Sequence, residues 1–129
     1  MIRLIGRKLI IPQGDTGTFT IPTQGLVESG DEAILSIYDN LTHTTIIEKK
    51  IPATAETLEF TFSMNDTITD INGNPIEPDN RGNRYSWDVT IIRNPEYDGN
   101  GLMHADDIDS YYAAFSLPPC VIKRVTRNV

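Results

Sequence analysis

Branching at Cβ dominates this chain. Its 129 residues include 17 Ile, 14 Thr and five Val, against eight Leu and six Ala. A branched Cβ is restricted at χ1 in a helix but packs well on a pleated surface, so the composition favours strands throughout. Alternation then places them. Segment 57–63 sets Leu58, Phe60 and Phe62 on one face and polar groups on the other, and 84–91 does the same with Tyr85, Trp87, Val89 and Ile91. Both show the period of two that a half-buried strand requires. Segment 18–21 is shorter and closes at Pro22, while 2–11, 33–39, 45–51 and 111–117 follow the pattern less strictly. A last tract, 121–125, resumes after a break at Pro118-Pro119, since proline cannot donate to a ladder.

About seven strands result, joined by turn sequences such as Gln13-Gly14-Asp15, Ser29-Gly30-Asp31, Asp39-Asn40 and Asn72-Gly73-Asn74-Pro75. Ser63-Met64-Asn65-Asp66 has the Ser cap and trailing acid of a helix start, which Asn72-Gly73 limits to one or two turns. Two connections are long, 64–83 and 94–110, and in a Greek-key sandwich they fall at opposite poles. Strands with one apolar face need another such face to cover them. The expected fold is therefore all-β: a single antiparallel β-sandwich of immunoglobulin-like type occupying 1–129 as one domain. At this length about two-thirds of the unfolded chain's surface is buried on folding, so no disulfide or metal is needed as a staple. The pattern departs from antibody domains, having no cysteine pair and a tryptophan near the sixth strand, yet Tyr85 stands where a tyrosine corner would.

Candidate chemistry is sparse. Cys120, the lone cysteine, lies in an apolar stretch and reads as a buried structural thiol. His43 and His104 fall in no metal spacing and have no nucleophile that can be placed beside them, so both read as solvated loop residues. The acidic tract from Glu96 to Asp109 fails as a calcium loop, because a frame starting at Asp98 puts Met103 where the turn glycine belongs. A different site built from Asp98, Asp106, Asp107 and Asp109 stays open, with a solvated acidic loop as its plain alternative. No cofactor is expected. No apolar run approaches the ~20 residues of a membrane span. The charges of Arg3, Arg7 and Lys8 come too early for a secretory leader, so no secretion signal is expected.

Four stretches resemble a known group. Gln13-Gly14-Asp15-Thr16-Gly17-Thr18-Phe19-Thr20-Ile21 is similar to the turn-then-strand opening of small β-sandwich proteins from tailed-phage tail and baseplate gene clusters. Tyr85-Ser86-Trp87-Asp88-Val89 with Asn94-Pro95-Glu96-Tyr97-Asp98, and then Asp109-Ser110-Tyr111-Tyr112-Ala113-Ala114-Phe115, resemble the closing half of that group. It includes the N-terminal domain of baseplate upper proteins and short stand-alone relatives carried by prophages of gut Firmicutes. The likeness spans most of 10–120 and rests on turn and strand patterns. It implies an immunoglobulin-like, non-enzymatic structural component of a phage or prophage tail or baseplate. Such a chain packs against other tail proteins or copies of itself as a homo-oligomer. It is located in the virion tail after synthesis in the bacterial host cytoplasm. A second expectation, from another class, is a small carbohydrate- or cell-surface-binding module that uses loop 94–110, with Tyr97, Tyr111 or Tyr112 as stacking platforms.

Charge layout bears on the first expectation. The chain carries a net charge of −7, which disfavours nucleic acid as a partner. Residues 9–122 hold all 18 acids and five bases, for −13, whereas the two ends hold Arg3, Arg7, Lys8, Lys123, Arg124 and Arg127, for +6. If the first and last strands are neighbours, these six form one basic edge. Such an edge either suppresses stray strand addition or docks on an acidic surface such as a second copy.

Overall fold

A computed structural model describes residues 2–22, 30–53, 57–97, 99, 103–104, 107–110 and 118–124, with the backbone course alone for 103–104 and 107–110. Eleven strands and one short 3₁₀ helix occupy them. They are β1 (Arg3–Ile5), β2 (Lys8–Pro12), β3 (Gly17–Pro22), β4 (Glu32–Asp39), β5 (Thr44–Pro52), β6 (Thr57–Phe62), the 3₁₀ helix (Met64–Thr67), β7 (Tyr85–Arg93), β8 (Glu96–Tyr97), β9 (Met103–His104), β10 (Asp107–Ser110) and β11 (Pro119–Lys123). The main sheet runs β1-β2-β11-β7-β4-β5, with β10 also paired to β7; β3 and β6 form a second sheet, and β8 and β9 a small hairpin. The all-β sandwich expected from the alternation is the fold. The order β11-β7-β4-β5 facing β3-β6 is the G-F-C-C′ and B-E arrangement of an immunoglobulin-type domain.

Alternation decides which side chains fill the space between the layers. From the small sheet come Phe19, Ile21, Leu58, Phe60 and Phe62, all buried. From the main sheet come Leu9, Ile11, Leu35, Ile37, Trp87, Val89, Ile91 and Ile122. Cys120 sits among them with no exposure, and burial pushes its thiol pKa well up, as expected of an inert core cysteine. The looser pattern of β5 has a cause in register. Ile37 faces Ile47 but Tyr38 faces Thr45, so Ile46 is an inserted residue. This bulge lets consecutive isoleucines both be buried, which strict alternation forbids.

Two residues at the start of β7 organise the centre. The Tyr85 hydroxyl donates to the Glu77 carbonyl at 2.5 Å, closing the loop before β7 as a tyrosine corner does. Two residues on, where antibody domains place the second cysteine of their inter-sheet disulfide, stands Trp87. Its ring meets that of Phe19 on β3 edge-to-face, with centroids 5.9 Å apart and planes at 85°. An aromatic pair across the layers thus stands where a covalent bridge would be. The indole Nε1–H donates to the Arg7 carbonyl at 3.0 Å, which satisfies the one polar atom of a fully buried ring.

The structure corrects the sequence reading in four places. Segment 2–11 is not one strand but the hairpin β1–β2, reversed at Gly6-Arg7. Gly6 there takes φ 61, a left-handed value suited to its position in a two-residue hairpin turn. Segment 94–110 is not simply a connection, since β8, β9 and β10 lie within it. The sandwich is also not wholly antiparallel, because β11 pairs β2 in parallel. The expected strand 111–117 lies outside the described residues, and the last strand is Pro119–Lys123 rather than 121–125. Other expectations hold. The Ser63 start gives one turn of 3₁₀ helix, with the Asp66 carboxylate accepting from the Ser63 N–H at 2.7 Å. The two long connections meet β7 at its opposite ends.

Removing the Tyr85 hydroxyl isolates the corner. Tyr85→Phe leaves the Glu77 carbonyl without its donor, and the loss should be about 1–3 kcal/mol in urea unfolding with an unchanged m-value. A change below a few tenths would show that the corner contributes nothing.

Candidate functional site

The described cations fall into two groups. Four of the five inside the sequence are neutralised within the fold, and the fifth, Arg81, is exposed with no ion pair among the described residues. Lys50 pairs with Glu32 at 2.9 Å, Arg84 with Asp39 at 3.0 Å, Arg93 with Asp31 at 2.8 Å, and Lys49 with Asp66. Asp31 and Asp39 are buried, so their partners are structural requirements: an unpaired buried carboxylate would cost several kcal/mol. By contrast, Arg3, Lys8, Lys123 and Arg124 are exposed and make no ion pair among the described residues. All four lie on the β1–β2–β11 edge of the main sheet or immediately after it.

The edge has a geometry that the sequence did not reveal. First and last strands are neighbours, as expected, but their parallel register sets Leu9 beside Cys120 and Pro12 beside Lys123. Lys8 and Lys123 are therefore four residues apart along the edge, or ~13 Å. Arg7 and Lys8 mark one end, Lys123 and Arg124 the other, and Arg3 lies between, level with Ile10. Arg127 is outside the described residues. This spacing exceeds the Debye length of ~8 Å at physiological salt, so the two ends act as separate contacts there and reinforce each other only at low salt. The β1 strand itself is three residues long and bears Arg3, a combination that discourages strand addition.

Loop 94–110 is partly engaged elsewhere. The Lys50 ammonium lies 4.2 Å from the centroid of the Tyr97 ring and contacts its hydroxyl, which donates to Glu32 Oε2 at 2.8 Å. A sugar stacking on that face of Tyr97 has to displace a cation already held there. Asp107 and Asp109 belong to β10, paired with Arg93 and Ile91 of β7. Asp98, Asp106, Tyr111 and Tyr112 lie outside the described residues. Among the described residues no group of three or more His, Cys, Asp or Glu is gathered as a metal site. His43 is exposed, in the left-handed turn between β4 and β5 at φ 59.

Several acids titrate low. Burial pushes the Asp39 carboxyl up, but the Arg84 guanidinium and the Leu41 N–H more than offset this and hold it below its ordinary value. Asp66 is held down in the same way by Lys49 and the Ser63 N–H, and Asp79 by the N–H groups of Arg81, Arg84 and Asn83. Burial drives the Tyr85 phenol the other way, up to about 12, in keeping with a donor that stays protonated.

No protein-family model, no curated protein and no solved structure matches this chain. Among the described residues no helix is long and apolar enough to cross a membrane.

A carboxyl whose folded pKa lies below its unfolded one contributes its full stabilisation above the unfolded value and loses it as pH falls through the folded value. Urea stability should therefore be level from pH 7 to about 5 and fall steadily below about 4. Asp39→Asn should lower stability at pH 7 and shrink the fall between pH 5 and 3. An unchanged acid limb in that variant would show that Asp39 does not carry it.

Proposed function

We propose that this chain is a non-enzymatic structural component of a phage or prophage tail or baseplate, acting through contacts with neighbouring tail proteins or with copies of itself. One observation supports the contact reading above the rest. The fold neutralises four of its five interior cations on its own acids, all but the exposed Arg81, yet leaves four exposed cations along one side of the main sheet without an ion pair among the described residues. The rest of the chain is strongly acidic. A cationic edge on an acidic body is complementary to a second copy in a head-to-tail arrangement. Contacts between unlike patches generate rings or filaments. Charge of this kind sets orientation and association rate more than affinity. The tail assignment itself rests on the resemblance of the segments at 13–21, 85–89, 94–98 and 109–115.

The carbohydrate-binding reading of loop 94–110 is the weaker one, because the described ring of Tyr97 is covered on one face by Lys50. Edge protection by cations is the simpler account of Arg3 and Lys8, but it does not extend to Arg124, which lies past the end of β11.

Reversing Arg3, Lys8, Lys123 and Arg124 to Glu distinguishes docking from protection. In sedimentation at low salt the natural chain should form oligomers that dissociate as salt is added, and the reversed chain should stay monomeric at every salt concentration. Equal oligomerisation of both would leave the edge as a protective device alone.

A further inference from the structure

At the pole where β6 hands over to β7, a cavity of about 400 Å³ opens between the β4–β5 turn and the 68–76 loop. Its floor is apolar and buried, made by Ile46, Ile76 and the ring of Tyr85. Its wall is the Arg84 guanidinium. Arg84 Nε reaches both Asp39 oxygens, at 3.2 and 3.3 Å, and Nη2 reaches Oδ2 at 3.0 Å. Arg84 Nη1 has no hydrogen-bond partner among the described residues, and neither does the side-chain amide of Asn74 on the rim. Asp70, also on the rim, accepts the N–H groups of Asn72 and Asn74 through Oδ1 alone, which leaves Oδ2 available. The hydroxyls of Thr42 and Thr44 complete the opening, 2.7 Å from each other.

We propose that this cavity is a binding site for a neutral sugar ring. A pyranose offers an apolar C–H face and a circle of hydroxyls that both donate and accept. The cavity supplies the complement, an apolar floor ringed by guanidinium and amide donors, a carboxylate acceptor and two hydroxyls. Charge sets the class of ligand. Asp39 and Arg84 cancel, and Asp70 leaves one negative charge, which disfavours phosphates and carboxylates. One carboxylate with an oxygen already occupied falls far short of the six or more ligands a calcium ion takes.

The site is also held in shape before anything binds. Thr69 bridges to Pro75, the Ile76 N–H donates to the Ile68 carbonyl at 2.9 Å, and the Asp70 N–H to the Asn74 carbonyl at 2.8 Å. Little ordering is left to oppose binding. Arg84 also borders a shallower hollow of about 300 Å³ beside Asn40 and Leu41, so a second ring linked to the first can run past the guanidinium. The proposal stands apart from the tail reading and from loop 94–110, and the two can fail separately.

The test uses the full 15N-labelled chain, titrated separately with D-glucose, D-galactose, L-rhamnose, N-acetyl-D-glucosamine and sodium phosphate. Concentrations should reach roughly 50 mM, enough to populate a site of millimolar Kd. At least one sugar should shift the Arg84 Nε–H and the Asn74 side-chain amide resonances saturably, with phosphate leaving them unmoved. Asn74→Ala and Thr44→Val touch exposed side chains outside the core, so both should fold normally and weaken that sugar by about tenfold. Saturation by no sugar, tighter binding of phosphate than of any sugar, or binding indifferent to both variants would each overturn the proposal.

Discussion

The structure depends on what happens around one indole. Trp87 reaches across the layers to Phe19, donates its Nε1–H to the turn of the β1–β2 hairpin, and through its backbone N–H takes the Pro118 carbonyl at 3.1 Å. One residue in the middle of the main sheet therefore fixes the small sheet above it, the first hairpin beside it and the approach to the last strand. A disulfide at this place would tie only two strands. The aromatic pair is worth about 0.5–1.5 kcal/mol beyond its burial, and the indole hydrogen bond adds direction that burial alone lacks. The same hairpin carries Arg3 and Lys8, so the position of the cationic edge follows from the core.

The connection before β7 shows a second use of polar groups at fixed points. The Gln13 amide donates to the carbonyls of Thr67 and Ile76 at 3.0 and 2.8 Å, and the Thr67 hydroxyl accepts from the Gly14 N–H at 2.7 Å. Further along, Gly82 takes φ 77 where an added Cβ would stand 3.0 Å from Val121, so the loop closes directly on β11. The connection is anchored at both ends on the β2 and β11 region. That order is what gives the polar cavity defined walls.

Much of the fold was legible because it is written locally. Leu58, Phe60 and Phe62 alternate cleanly, and they line one face of β6. Tyr85, Trp87, Val89 and Ile91 do the same for β7. The corner at Tyr85 and the turn after Ser63 also carry short-range signals. What was missed depends on partners distant in sequence. Gly6 sits in an apolar, β-branched run that reads as one strand, and only pairing of Ile5 with Lys8 and Arg3 with Ile10 reveals the hairpin. The acidic 107–110 segment has poor strand propensity, and its pairing with β7 outweighs that preference. The candidate surfaces were legible to different degrees. Unequal charge at the chain ends pointed to a basic edge, but the parallel register that spreads it is a property of the sheet. The cavity gave no sequence signal, since Thr42, Asn74 and Arg84 come from separate segments.

Trp87 locks the first hairpin, and with it the cationic edge, to the core. The exchange rate of the indole Nε1–H with solvent deuterium, followed by NMR against the slowest backbone amides of β4 and β7, tests this most directly. The indole proton should exchange only as the whole domain unfolds, at the rate of those amides and with the same denaturant dependence. Exchange orders of magnitude faster and insensitive to denaturant would mean that the hairpin opens on its own and that Trp87 does not lock it.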